Sequence, residues 1–98
     1  MADAKVFISR QRVQTMLDVD AEFLQQLEEE EIVVAHASGY QPQEIERIRI
    51  CRTLHHELHV NWAGLDVALR LLETIEAQRR QFAEVLTELN RHKAKREG

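Results

Sequence analysis

Residues 9–27 read "SRQRVQTMLDVDAEFLQQL", and this stretch decides the fold. Ser9 can cap a first short helix, because a serine hydroxyl accepts hydrogen bonds from the free N–H groups of a first turn. Asp20 can cap a second helix in the same way, and Asp18 to Asp20 form a turn between the two. Two short helices joined by so tight a turn predict a helix-turn-helix motif.

Apolar residues give each predicted helix one inward face. They recur at helical spacing in the first helix and at positions i, i+1 and i+4 in the second. The two sets are Val13, Met16 and Leu17, and then Phe23, Leu24 and Leu27.

The segment after the second helix predicts a short β-hairpin, or wing. A mostly β-branched run of four residues is followed by the small-residue turn "HASG", and Tyr40 comes next. The run consists of Ile32, Val33, Val34 and Ala35.

The second half of the chain predicts two further helices. Pro42 suits the first turn of a third helix, which we expect to end near an inward-facing Leu58. Asn61 can cap a fourth helix, in which apolar residues recur at alternating steps of three and four, the a/d pattern of a coiled coil. The dimerisation seam that we predict from this pattern consists of Leu72, Ile75, Phe82, Leu86 and Leu89. We expect a partner helix to cover it, most simply a second copy of the chain in an antiparallel homodimer. The alternative is that the helix folds back on its own domain.

These elements predict an all-α, or mainly α, fold with a small β-hairpin and a long C-terminal coiled-coil helix. The length of 98 residues fits one structural domain. We expect residues 1–60 to form the winged helix-turn-helix region with the third helix. Residues 61–98 would form the long dimerisation helix, from about Trp62 to Arg91, and a charged tail over residues 92–98.

Composition argues against several classes of protein. The single Cys51 cannot form an internal disulfide, so we interpret it as a small core residue of a cytoplasmic protein. No apolar run approaches the roughly 20 residues of a membrane span, and the start lacks a signal-peptide pattern. The sequence contains no glycine-rich phosphate loop and no recognisable catalytic set, so we expect neither an enzyme nor a cofactor.

Three of the five histidines lie in "LHHELHVNW", residues 54–62, which invites comparison with a zinc-protease motif. That motif needs His-Glu-x-x-His, because histidines four residues apart share a helix face and bind one ion. Here His56, Glu57 and His59 have the wrong spacing. His55 and His59 are four apart but lack a third ligand, so we expect at most adventitious metal binding there.

Charge is distributed unevenly along the chain. Residues 1–46 carry ten acids and three bases, a net charge of −7, whereas residues 47–98 carry a net charge of +3. The predicted second helix has no lysine or arginine, and its acidic residues are candidates for binding a partner. These candidates are Asp20, Glu22, Glu28, Glu29, Glu30 and Glu31.

The order of the elements resembles the MerR-like winged helix-turn-helix architecture. A more specific resemblance lies in "TLHHELHVNWAGLDVALRLLETI", residues 53–75, which looks like the bacterial chaperone-modulator family (CbpM). The residues that carry it are His56, Glu57, Leu58, Asn61, Trp62, Gly64, Leu65, Val67, Ala68, Leu69, Leu71 and Leu72.

This resemblance implies a non-enzymatic modulator. Proteins of that family bind the J domain of a DnaJ-type co-chaperone (CbpA, curved-DNA-binding protein A) and inhibit its work with the Hsp70 chaperone. The second helix of a J domain is basic, so the acidic residues are one candidate contact. The rival contact is the face of the third and fourth helices around Arg49, Arg52, His56 and Trp62.

The alternative function is a MerR-like DNA-binding transcription regulator. DNA affinity comes largely from lysine and arginine contacts to phosphates, and the second helix would enter the major groove. Because that helix is acidic, the sequence argues against nucleic acid as the partner.

Overall fold

The computed structural model describes the backbone of residues 5–97 and the side chains through residue 94. The first four residues and Gly98, which belong to the predicted segments 1–60 and 61–98, lie outside the described residues. Four α-helices and one π-helical turn account for most of this range, which confirms the mainly α fold class. They are α1 (Arg10–Leu17), α2 (Ala21–Glu29), α3 (Pro42–Arg52), the π-helical turn (Thr53–Glu57) and α4 (Trp62–Glu97).

The helix-turn-helix geometry follows from two side-chain caps. The Ser9 hydroxyl accepts the N–H of Arg12 at 3.2 Å, and the Asp20 carboxylate accepts the N–H of Phe23 at 2.8 Å. Asp18 ends α1 in the left-handed conformation, with φ of 54° and ψ of 54°, a conformation that Asp tolerates better than most residues. Both predicted caps and the turn between the helices are therefore confirmed.

The described part of the chain divides after Asp66 into two compact units. The first unit contains α1, α2, α3 and the start of α4, and it holds most of the core. Met16 is 53% exposed, so this residue does not belong to the inward face that we predicted. The buried apolar residues of the first unit are Val13, Val19, Phe23, Leu24, Leu27, Ile32, Val33, Tyr40, Ile48, Cys51 and Leu65.

Cys51 lies in this core, as the sequence predicts. Its side chain is fully buried. Burial raises the pKa of the Cys51 thiol to about 11, so the thiol stays protonated and unreactive at neutral pH.

The predicted strand over residues 32–35 is not formed. Ile32 and Val33 are both buried, whereas adjacent residues of a strand point to opposite faces. Their N–H groups donate to the carbonyl of Leu27, at 2.9 and 3.4 Å, and are thus used at the end of α2. In place of a hairpin ladder, the described residues contain two isolated antiparallel pairs, Ile8 with Tyr40 and His36 with Gly39.

The end of α3 also differs from the prediction. The helix widens into the π-helical turn, where the N–H of Leu58 donates to the carbonyl of Thr53 at 3.2 Å. Because a π turn holds more residues than an α turn, it rotates the following side chains away from the α-helical phase. Leu58 is therefore 63% exposed and does not face inward.

α4 begins where the sequence predicts and ends later. The Asn61 side chain accepts the N–H of Gly64 at 2.7 Å, which confirms the cap. The helix continues to Glu97, so residues 92–97 are helical and do not form a separate tail. The seam residues predicted on this helix are 37–64% exposed. No described helix is long and apolar enough to span a membrane.

A substitution at Gly39 tests the contact between the His36–Gly39 turn and the start of α1. Gly39 has φ of 121°, and an added Cβ would lie 2.0 Å from the carbonyl oxygen of Ile8. We expect Gly39→Ala to lower the free energy of unfolding by about 2 kcal/mol or more, measured by urea denaturation.

Gly64→Ala is the control for this experiment. There the added Cβ would meet side-chain atoms instead of backbone, a methyl of Val60 at 2.7 Å and Oδ1 of Asn61 at 3.2 Å, and φ is not positive. Alanine also favours the helix over glycine. Equal losses of stability in the two variants would contradict the prediction.

Candidate functional site

The structure divides the six predicted partner-binding acids into different roles. Asp20 caps α2, and its carboxylate is used within the chain. Glu28 is half-buried and also bonded within the chain, whereas Glu22 and Glu29 to Glu31 are exposed. Two of the six predicted acids, Asp20 and Glu28, therefore also have a structural role within the chain.

Glu28 joins three parts of the first unit. Its carboxylate accepts hydrogen bonds from the Arg10 guanidinium, at 3.0 and 2.8 Å, and from the hydroxyl of Tyr40. Arg10 begins α1, Glu28 lies near the end of α2, and Tyr40 precedes α3. Burial, followed by the hydrogen bond to Glu28, raises the pKa of Tyr40, so the phenol remains a donor at physiological pH. The sequence alone gives no sign of this role in a run of four glutamates.

The exposed acids lie at the two ends of α2. Glu22 is in the first turn, and Glu29 is about 10 Å further along the helix axis at 1.5 Å per residue. Glu29 accepts a hydrogen bond from Gln25, and Glu30 accepts one from Gln26, both at 3.2 Å. No lysine or arginine occurs between Asp20 and Glu31, so the exposed face of α2 is acidic with neutral glutamines between the charges.

A cluster of four aromatic rings lies beside the start of α2. We call it the ring cluster, and it consists of Phe23, His55, His56 and Trp62. Phe23 is buried at its centre, with ring centroids 4.8 Å from His56 and 5.5 Å from Trp62. His55 lies 4.9 Å from Trp62, and its Nδ1 is 2.8 Å from the carbonyl oxygen of Val60. His56 is exposed and Trp62 half-buried, so the cluster reaches the surface.

The two arginines of the rival contact are both engaged in ion pairs within the chain. Arg52, at the end of α3, lies 3.5 Å from the carboxylate of Asp18 and 3.4 Å from that of Glu57. Its Nε also donates to the Asp18 carbonyl at 3.3 Å, which fixes the helix-turn-helix turn to α3. Arg49, the other base of the rival contact, is paired with Glu46 on the surface of α3. Of the rival contact, the structure thus joins His56 and Trp62 through the ring of Phe23, while Arg52 pairs with Asp18 and Glu57.

The geometry does not favour metal binding by the histidines. His55 lies in the π-helical turn, and His59 follows it with φ of 56°, so their four-residue spacing is not α-helical. Among the described side chains of residues 5–94, no group of three or more His, Cys, Asp or Glu is placed to hold a metal ion.

A buried carboxylate, Glu44, was missed by the sequence analysis. It is 8% exposed, and its Oε1 accepts the N–H of Gln41 at 3.2 Å. The Nε2 of His36 lies 3.5 Å from the same oxygen, while Oε2 has no hydrogen-bond partner among the described residues. Its position in the first turn of a helix that begins with Pro42 is a local signal for capping, but nothing local predicts its burial.

Comparison with known proteins identifies the family. The profile described as "MerR HTH family regulatory protein" matches residues 8–87. The chain belongs to this MerR family. The match covers α1, α2, α3 and most of α4. No curated protein and no solved structure matches the chain significantly.

Membership of the MerR family agrees with the sequence-based resemblance at the level of the architecture. It covers the two capped helices that form the helix-turn-helix motif and the long helix that follows α3. The family description names a regulatory protein and not an enzyme, and the more specific resemblance to CbpM remains a proposal.

Tyr40→Phe tests whether Glu28 is a structural residue. The substitution removes the hydroxyl donor while keeping the buried ring, so we expect a loss of about 1.5 kcal/mol in the free energy of unfolding. Urea denaturation followed by circular dichroism measures this change. Glu29→Gln is the control, because Glu29 is exposed and should change stability by no more than about 0.5 kcal/mol. Wild-type stability of Tyr40→Phe would show that Glu28 does not need this donor.

Proposed function

We propose that this chain is a non-enzymatic regulatory protein whose first unit binds another macromolecule. Its family is described as regulatory, which supports the role in general terms. Two partners are consistent with the observations, a J domain and DNA.

The first candidate is the J domain of a DnaJ-type co-chaperone, whose work with Hsp70 the chain would inhibit. The likeness of residues 53–75 to the CbpM family supports this candidate. The observation that carries it is the exposed face of α2, which is acidic and has neither lysine nor arginine. A face of this kind complements a basic protein surface, because opposite charges speed association and select the partner.

The second candidate is a DNA-binding transcription regulator, and the family match supports it more directly than the J domain. In that function α2 would lie in the major groove, with Gln25 able to bond an adenine edge. The turn from His36 to Gly39 would stand in the place of the wing.

Charge separates the two candidates. Phosphate contacts supply most non-specific DNA affinity, and the charged side chains exposed at the ends of α2 are all carboxylates. Arg10, at the start of α1, is already paired with Glu28. We therefore place the J domain first and DNA second.

Calorimetry and gel retardation distinguish the candidates. We expect the purified full-length chain to bind the isolated J domain of its own source's DnaJ-like co-chaperone with a Kd of about 1 µM or tighter, at one J domain per chain. We expect no retardation of DNA at about 0.15 M salt. A J domain with the bases of its second helix changed to glutamate is the matched control and should not bind. Retarded DNA together with no heat from the J domain would reverse the order of the candidates.

We also propose that α4 pairs with a second copy of the chain. The predicted seam forms a stripe of exposed apolar side chains along the second unit. In an antiparallel pair centred between residues 80 and 81, Leu72 faces Leu89 and Ile75 faces Leu86 of the other copy. Arg79 occupies the one polar position of the stripe. In the antiparallel pair it faces Phe82 of the other copy, whose ring can accept a cation. A parallel, in-register pair would bring Arg79 against Arg79, which like charges disfavour.

Cysteine cross-linking tests this register. Under oxidising conditions, a mixture of Leu72→Cys and Leu89→Cys chains should form a disulfide-linked dimer, because the two positions face each other. Either variant alone should form little, since its two cysteines would be about 25 Å apart along the pair. Cys51 is buried and present in every sample, so any cross-linking through Cys51 is the same background in all of them. Cross-linking of Leu72→Cys with itself would indicate a parallel pair instead.

A further inference from the structure

We infer that the ring cluster, with the carboxylates of Asp18, Glu22 and Glu57 around it, is the docking surface for a basic amphipathic helix. The identity of the protein that carries this helix rests on the proposed function, in which it is the J domain. Of the two acidic ends of α2, the one that contacts the partner is then the end that carries Glu22.

The first step is that apolar and aromatic surface is exposed here. The chain turns from α3 into α4 through the π-helical turn and through His59, whose φ of 56° is uncommon outside glycine. This path leaves Leu58 exposed and places the rings of His56 and Trp62 at the surface, against the buried Phe23. Aromatic residues that are half-buried and pack on a buried side chain are common anchors of protein interfaces.

The second step is the charge of the segments that form the cluster. Phe23 lies in the first turn of α2, where Glu22 is exposed and no base occurs. Glu57 lies in the π-helical turn and is connected through Arg52 to Asp18, and both of these acids are largely exposed. These segments therefore carry more exposed carboxylates than bases, while the electron-rich ring faces also attract cations.

The other end of α2 has charge without an exposed aromatic ring among the contacts described for it. Glu29, Glu30 and Glu31 carry charge at this end. However, Tyr40, the aromatic residue that is bonded to the neighbouring Glu28, is buried. Charge alone can steer a partner, whereas affinity requires buried apolar contacts. The Glu22 end offers both, and a helix with apolar residues on one face and lysines or arginines beside them fits it.

Trp62 makes the experiment direct, because it is the only tryptophan of the chain. The full-length protein is titrated with two tryptophan-free probes, a lysine-rich amphipathic helical peptide and the J domain with any tryptophan changed to phenylalanine. We expect both probes to shift Trp62 emission to shorter wavelength and to protect it from acrylamide quenching.

The variants locate the contact. His56→Ala removes an exposed ring, and we expect it to weaken binding of either probe by about tenfold. The pair Glu22→Gln and Glu57→Gln should slow association. The matched control pair, Glu29→Gln and Glu31→Gln, removes the same charge at the other end and should change affinity by less than about twofold. Circular dichroism of each variant confirms that it is folded.

The outcomes separate the inference from the proposed function. Binding of the J domain with unchanged Trp62 emission and full affinity in His56→Ala would overturn the inference and leave the proposed function standing. A response to the peptide without any binding of the J domain would support the surface and reject the J domain as the partner. No Trp62 response to either probe, together with no heat on calorimetric titration with the J domain, would overturn both the inference and the J domain as the partner.

Discussion

The first unit depends on one half-buried carboxylate. Glu28 receives Arg10 from the start of α1 and Tyr40 from the segment before α3, so one side chain connects the three parts of the chain that must meet. Tyr40 in turn pairs its backbone with Ile8, which brings the chain just ahead of α1 to the same place. A half-buried charge with two donors is stable, whereas the same charge without them would carry a large desolvation cost.

Sequence reasoning succeeded where a backbone group and its partner are close in the chain. Ser9, Asp20 and Asn61 cap N–H groups only three residues away, and such bonds depend on little beyond residue type and local conformation. The same locality explains why Pro42 marks the start of α3 correctly.

The failures have a shared cause, which is tertiary contact that no local pattern reports. Glu28 is chemically identical to the exposed glutamates beside it, and only its bonds to distant residues make it structural. Ile32 and Val33 have the composition of a strand, but both are buried at the end of α2. Leu58 fits the helical pattern of α3, but the π-helical turn changes the phase before it. The sequence predicts the ring cluster only in part. It places His56 and Trp62 in the rival contact, whereas the helical spacing of Phe23 predicts only that this residue faces the core.

A helix-turn-helix fold and an acidic second helix favour different partners, since the fold is suited to a groove in DNA and the charge is not.

The two backbone hydrogen bonds between Ile8 and Tyr40 connect the turn before α3 to the start of α1, whichever partner binds. A Cβ at Gly39 would overlap the backbone of Ile8 and Ser9, so the turn before α3 lies directly against the segment that caps α1. A partner that pulls on this turn therefore pulls directly on the segment that holds the first hydrogen bonds of α1.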